Sequence, residues 1–581
     1  MNKSIGDILI SFRGPKKALP TRSVSPWKEI DCFDDARVLV TQADERWRGF
    51  PLTTYQDEGW QIWALGEFYG KKHPDLPKAV RSASDLNGHF LLIAYTKQLQ
   101  RWHVLTDRFG TVHAYLANDG RRAALGTFSP AVADAGSAKT LDWDGLGGFF
   151  TFGFFLGSQT YWDDLQILQP ASHLVLDQHG NLISEEKTWT WHHEADMNLS
   201  YDDAIEDFGQ LFNAVIRDQV RDKAVAVPIS GGLDSRSTLV PLSVADCGGA
   251  ARLIPFSYGY GEDSIETKIA KQLAHKRDLP LQTWTIQPFL FDQVEPILGQ
   301  IEGFHDLTLP RQAFVIDRLE EEASHVLAAH WGDVWLDDMG FLDQELPLSN
   351  AALASKLSGK FTKKGSGQLL NLFKDFLPQT HLEDNASKIM DQLRLMEQIQ
   401  DVDFKVKAWK TQSWSFRWTL ASLRVYQAGL FPLLPFYDNR MADFFCRIPS
   451  HMVSGRHLQI DYLKRFAPEL AHITWQKFGA NLYNYQYFNT WLLPKRAYQK
   501  LTRLITGKQI ISRNWEVQFL TERGRAGLRK WLLEPGLKIH NYVSKKQLAD
   551  YLKEFYAVPD AGNGYAVSML LTFSAWLEAY D

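Results

Sequence analysis

Cysteine is nearly absent from this 581-residue chain: Cys32, Cys247 and Cys446 are the only three. They are too few and too scattered for a disulfide framework or a CxxC metal site, and they fit a reducing, cytoplasmic setting. A strongly basic segment is also missing. Lys plus Arg is 63 against 68 for Asp plus Glu, a net charge of −5, so nucleic acid is not an expected partner. No GxxxxGK[ST] sequence occurs, which argues against a Walker-type nucleotide loop. Long apolar runs are scarce as well. The notable uncharged stretch, Gly145 to Trp162, carries five glycines with Thr, Ser and Gln; it reads as a buried helix and turn, and no membrane partner is expected. Met1 to Asp7 places an acid inside a short apolar stretch without a small-residue cleavage site, so it does not read as a signal peptide.

What is present describes a globular protein. Hydrophobic residues make up 45% and charged residues 23%, close to the average for packed domains, and the length predicts two or three domains. Up to about residue 190, short apolar segments alternate with turn residues, as in Phe90 to Tyr95, Trp102 to Thr106 and Ala114 to Leu116. That part is expected to be sheet-rich. A polar stretch, Trp191 to Ser200, closes it, and helical spacing over Tyr201 to Asp222 opens the next part, which puts a boundary near residue 195.

Apolar runs then alternate with helical segments: Ala224 to Ile229, Leu253 to Phe256, a helix over Ile265 to Arg277, Leu281 to Ile286, and Val326 to Ala329. This order predicts a parallel α/β sheet with its ligand site at the carboxyl ends of the strands, near residues 230, 257 and 330. The Lys- and Gly-rich piece Ser358 to Gly367 reads as a mobile, solvated insertion. Trp414 and Trp418 stand four apart, on one face if that segment is helical, and read as core packing.

The strongest local signal is Ser230-Gly231-Gly232-Leu233-Asp234-Ser235, a Gly-rich turn between an apolar strand and a helix. Glycines let backbone N–H groups approach an anion, and a helix N-terminus favours negative charge, so the turn suits phosphate. Asp234 adds a hard oxygen for Mg²⁺. His192-His193-Glu194 offers metal-binding residue types, but three adjacent linker residues do not readily face one ion.

The SGGLDS turn resembles the pyrophosphate loop of the ATP pyrophosphatases, and its surroundings resemble the asparagine synthetase family. Phe256-Ser257-Tyr258-Gly259 ends the second strand, where that family's adenine-contacting segment lies. His330-Trp331-Gly332-Asp333 resembles the GxGxDE loop, Pro435-Phe436-Tyr437-Asp438 the PFLD segment, and Gln476-Lys477-Phe478-Gly479 the RxKxGF segment. In the first part, Gly88-His89-Phe90 and Asp107-Arg108-Phe109-Gly110 resemble the core of the family's glutaminase-like domain.

The resemblance implies an α/β plus α+β chain. Residues 1–195 would form a degenerate, class II amidotransferase-like domain of Ntn-hydrolase sandwich type. Residues 200–581 would form a parallel-sheet ATP pyrophosphatase domain with a helical C-terminal part. It further implies a ligase that uses ATP and Mg²⁺, joins a small-molecule or peptide carboxylate to an amine or ammonia through an acyl-adenylate, and leaves a homodimer open. Ser230, Gly231, Gly232, Asp234, Ser235, Phe256 and Ser257 would bind ATP and its pyrophosphate, Asp234 and Asp333 would hold Mg²⁺, and His330 and Lys477 would be catalytic. Asp438 would buttress the core.

The chain also departs from the family pattern. Asn2 stands where glutamine-hydrolysing members carry a nucleophilic cysteine, so glutaminase activity is not expected. Ala329 and Trp331 replace both glycines of the GxGxDE loop, Val334 replaces its last acid, and His330 occupies the base position. β-lactam synthetases and lasso-peptide cyclases, which form intramolecular amides, are relatives in view. A non-catalytic ATP-binding scaffold is the alternative of another class.

Overall fold

A computed structural model describes residues 3–12, 27–42, 49–70, 74–82, 86–261, 264–342, 348–489 and 513–581. In the N-terminal part, the described strands are β1 (Lys3–Phe12), β2 (Trp27–Cys32), β3 (Ala36–Gln42), β4 (Phe50–Gln56), β5 (Trp60–Phe68), β6 (Gly88–Thr96), β7 (Arg101–Thr106), β8 (Tyr115–Asn118), β9 (Ala123–Gly126), β10 (Leu165–Ile167), β11 (Ser172–Leu176) and β12 (Leu182–Lys187). One antiparallel hydrogen-bonded network of 12 strands joins them in the order β10-β8-β9-β1-β4-β5-β6-β7-β11-β12, with β3 on β1 and β2 on β3. β6 is buried along its whole length, as expected of a central strand covered on both faces.

Gly145 to Trp162 behaves as its composition suggests. Asp142 caps helix α1 (Trp143–Phe152) through the Gly145 N–H, and Gly153, at φ 82°, ends it. The left-handed conformation costs glycine little. No described helix is long and apolar enough to cross a membrane.

Helix α2 (Tyr201–Val220), capped by Ser200, leads into the second sheet. Its five strands are β13 (Ala224–Pro228), β14 (Arg252–Gly259), β15 (Gln282–Thr285), β16 (His325–Leu327) and β17 (Phe431–Leu433), in the order β15-β14-β13-β16-β17. Every pairing is parallel. β13 is central, so the turn at its carboxyl end opens between the ends of β14 and β16. The short helices α3 (Asp234–Thr238) and α4 (Gly332–Trp335) follow β13 and β16.

The segment expected to be a mobile insertion instead ends one helix at Phe361 and starts another at Ser366. Helix α5 (Asn350–Phe361) buries Leu353, Leu357 and Phe361, and the Lys363 N–H donates to Thr151 O at 2.9 Å. Its lysines mask an apolar face that repeats at helical spacing. Trp414 and Trp418 do not lie in an α-helix either: helix α6 (Val402–Lys410) runs into a π-helix over Thr411–Thr419, where both indoles are only partly buried.

The C-terminal helix α7 (Ala561–Tyr580) is apolar nearly all round, which places it inside the molecule. Trp576 stacks on Tyr161 at 3.9 Å between ring centroids, and the Tyr565 hydroxyl donates to Phe150 O at 2.9 Å. The two sheets also meet through polar contacts. Glu67 accepts from Lys223 at 2.7 Å and pairs with His325 at 2.8 Å. Asn87 donates to Asp438 at 3.0 Å, and Arg108 pairs with Asp443 at 2.5 Å.

Candidate functional site

The site forms where the turns after β13 and β16 face each other. Hydroxyls close the SGGLDS turn on itself: Ser235 Oγ accepts from the Ser230 N–H at 3.1 Å and shares a proton with Ser230 Oγ at 2.7 Å. The Gly232 N–H donates to Ser230 Oγ at 3.3 Å. These are serine contacts that an arriving anion could replace, because hydroxyls rotate and backbone N–H groups gain from a charged acceptor. The Ile229 N–H donates to Phe256 O at 2.8 Å, which ties the turn to β14.

Asp234 lies under the opposing turn. A methyl group on Gly332 would come within 2.5 Å of Asp234 Oδ1 and 2.8 Å of the Phe436 ring, so only glycine permits this approach. Arg456 pairs with Asp234 Oδ1, and Gln459 donates to the same oxygen at 3.1 Å. Burial pushes the Asp234 carboxyl up, Arg456 pulls it down, and the neighbouring Asp333 charge pushes it up again. Asp333 itself is exposed. Two carboxylates from separate strand ends therefore share one electrostatic neighbourhood.

No described group of three or more His, Cys, Asp and Glu could hold a metal by itself. Magnesium does not need one: it uses one or two carboxylates and completes its shell with substrate phosphates and water. Asp234 and Asp333 fit that requirement. His192, His193 and Glu194 form no metal-holding group among the described residues; the His192 and His193 rings bond Thr190 O at 3.1 Å and Ile448 O at 2.9 Å.

His330 and Trp331 shape the second turn. Trp331 has φ 82°, a left-handed conformation that is costly for an aromatic residue and persists only where the surroundings enforce it. Here the ring is buried, and its Nε1–H donates to Thr411 Oγ1 at 2.9 Å. His330 is exposed at the turn. Desolvation by the surrounding protein lowers its pKa to about 4; Asp333 opposes the shift and Arg311 reinforces it.

Gln476 and Lys477 reach the turn from a distant segment. The Gln476 N–H donates to Gly231 O at 3.2 Å, and a methyl group on Gly231 would lie 2.3 Å from Gln476 Oε1. Lys477 is exposed, with its ammonium over the Trp475 and Phe478 rings at 5.8 and 5.4 Å. Arg236, fully buried on α3, donates to the carbonyls of Leu470, Ile473 and Thr474 at 3.2, 2.9 and 2.8 Å. It thereby fixes the approach of the lysine segment.

The structure thus gathers Ser230, Gly231, Gly232, Asp234, Ser235, Asp333 and the Lys477 backbone region. The Phe256 ring is fully buried against Tyr258 and Trp284. Ser257 is buried nearby, and its Oγ has no hydrogen-bond partner among the described residues. Asp438 is structural, capping the helix Asn439–Phe445 that follows β17 and accepting from Arg440 and Asn87. Asn2 lies outside the described residues.

No family model matches the chain, and no curated protein matches it. Among solved structures, the chain is similar to one titled "structure of the allosteric regulatory enzyme of purine biosynthesis", at 9% identity and TM-score 0.20, over 49% of this chain and 76% of that one. It is also similar to a glutamine phosphoribosylpyrophosphate amidotransferase from B. subtilis complexed with ADP and GMP, at 10% identity and TM-score 0.17, over 39% of this chain and 55% of that one. At such scores the likeness carries no argument about chemistry.

Proposed function

We propose that the chain is an ATP-dependent carboxylate–amine ligase of the asparagine synthetase type, with a glutaminase-like first part that does not hydrolyse glutamine. The observation that carries this reading is the convergence at the end of β13: the SGGLDS turn, the Asp234–Asp333 neighbourhood, and the Gln476 backbone bonded to Gly231. Segments 230–235, 332–333 and 476–477 are remote in sequence, and their shared location is what phosphate chemistry requires.

A carboxylate is a poor electrophile. In the proposed reaction its oxygen attacks the α-phosphorus of ATP, the bond to the β-phosphate bridge breaks, and pyrophosphate leaves. The backbone N–H groups of Ser230 and Gly232, with the Ser230 and Ser235 hydroxyls, would bind that anion. Mg²⁺ held by Asp234 and Asp333 would neutralise charge on the phosphates. An amine then attacks the acyl carbon and AMP departs. His330, neutral above about pH 4, is in the form that accepts the amine's proton, and Lys477 would meet developing negative charge.

The test is carboxylate-dependent exchange of pyrophosphate into ATP across aspartate, acidic sugars and peptide acids, followed by amine addition. Asp234→Ala should abolish exchange. Release of ADP and phosphate would contradict an acyl-adenylate, and ATP binding without turnover of any acid would favour the scaffold reading.

A further inference from the structure

The π-helix Thr411–Thr419 is bonded to both parts of the chain. Two of its hydroxyls grip the neighbourhood of the turn after β16. Thr411 Oγ1 donates to Lys407 O at 2.7 Å, and a hydroxyl has one proton, so the same oxygen is free to accept from the Trp331 Nε1–H at 2.9 Å. Four residues on, Ser415 Oγ is hydrogen-bonded to the Tyr437 hydroxyl, and the Tyr437 ring lies 6.4 Å from that of Trp331. Thr411, Ser415 and Tyr437 are all buried.

The next two residues of the π-helix are held by the N-terminal part. The buried His113 ring bonds Phe416 O through Nε2 at 2.9 Å and meets the Phe416 ring edge to face at 5.1 Å. A carbonyl only accepts, so this nitrogen carries the proton. Arg417, also buried, donates to Gly157 O and Gln159 O, both at 2.7 Å. A methyl group on Gly110 would lie 2.7 Å from the Phe416 ring, and the Phe109 ring meets that of Tyr437 at 5.3 Å. The Asp107 to Gly110 turn is therefore packed directly on the π-helix and its partner.

These contacts converge on a strained residue. Trp331, at φ 82°, stands between His330 and the Gly332-Asp333 pair, and a left-handed aromatic residue persists only where its surroundings over-determine it. A π-helix is itself an uncommon conformation that gathers at functional sites. Two unfavourable backbone features are thus joined by one hydrogen bond, from Trp331 to Thr411. We infer that the N-terminal part serves the site as a brace: held by His113, the π-helix presents Thr411 and Ser415 as positioning residues that keep Trp331 left-handed and so set where His330 and Asp333 stand. This role requires no nucleophile at position 2 and no glutamine. Its consequence for magnesium rests on the ligase reading.

Amide hydrogen exchange and ATP calorimetry on the full chain test the brace, with Thr411→Val and His113→Leu set against Thr411→Ser and His113→Gln, which keep the hydroxyl and an N–H donor. The first two should speed exchange across residues 330–335 about tenfold while β13 and β14 keep the wild-type rate, and the conservative pair should stay near wild type. In the wild-type chain, Mg²⁺ at about 5 mM should strengthen ATP binding about tenfold, and that gain should fall to about twofold or less in Thr411→Val and His113→Leu. Ser415→Ala deletes a single hydroxyl and should act in the same direction, a readout that stands even where His113→Leu fails to fold. Unaltered exchange across 330–335 in folded Thr411→Val and Ser415→Ala, a loss of protection spread evenly over the sheet, or no rescue by the Ser and Gln variants would each overturn the inference. Faster exchange with an undiminished magnesium gain would overturn the link to Asp333. The expected exchange pattern in a wild-type chain that binds no ATP would leave the brace standing and remove the ligase reading.

Discussion

Gly332 has no room for a side chain, because a methyl group there would meet Asp234 Oδ1 and the Phe436 ring. Gly332→Ala should displace the Asp234 carboxylate and lower pyrophosphate exchange by about two orders of magnitude, a loss of roughly 3 kcal/mol in transition-state stabilisation. Single-turnover kinetics with circular dichroism as a fold control would measure it. His330 makes a second prediction. Desolvation holds its pKa at about 4, so its free-base form persists well below the ordinary histidine range. The acidic limb of the pH–rate profile assigned to it should fall near pH 4, not near 6.5, and His330→Ala should remove that limb. Trp331 shows what sequence can and cannot reveal at this scale. The loss of glycine there is visible in the sequence, but its left-handed backbone and the Thr411 contact that holds it come only from a partner 80 residues away.

Among the elements, the parallel sheet was the most legible, because continuous apolar strands alternating with helices leave few other arrangements. The SGGLDS turn was legible for the same reason: its strand and helix flank it directly. Arg236, Arg456 and Gln459 were not. Their roles depend on partners 222 to 238 residues distant, and an isolated Arg or Gln carries no local sign of such a partner. The π-helix also has no simple sequence signature, so Trp414 and Trp418 read as an ordinary core pair, and Lys363 over them reads as part of a solvated segment. Arg236 yields the prediction for this scale. Arg236→Met would leave the carbonyls of Leu470, Ile473 and Thr474 without their donor, at a cost of about 3 kcal/mol or more. A fall in Tm, with greater proteolysis between residues 470 and 480, would report it; an unchanged Tm would show that the clamp is not needed.

Across the whole molecule, the two sheets are joined by buried polar links as well as by a shared core. Burial alone would raise the Glu67 carboxyl, but His325 and Lys223 overcome it and hold the pKa at about 2. A carboxyl depressed from 4.5 to about 2 contributes roughly 3 kcal/mol above its unfolded pKa, and loses it as pH falls from about 4.5 towards 2. Glu67→Gln should flatten the acid limb of the stability curve in that window, as chemical denaturation at pH 5 and pH 3 would reveal. The same links predict that residues 200–581 expressed alone will be poorly soluble, since the cut exposes the Trp576 and Phe573 surface that Tyr161 covers. The stack of Tyr161 on Trp576 also governs how the protein can be made. Tyr565 and Phe150, joined in the folded chain, are 415 residues apart, so at ordinary ribosomal speeds the aromatic face of α1 waits roughly 20 to 80 s for its cover. During that interval the nascent chain carries an unshielded adhesive surface, and its yield in a cell will depend on chaperone supply and translation speed as much as on the stability of the finished fold.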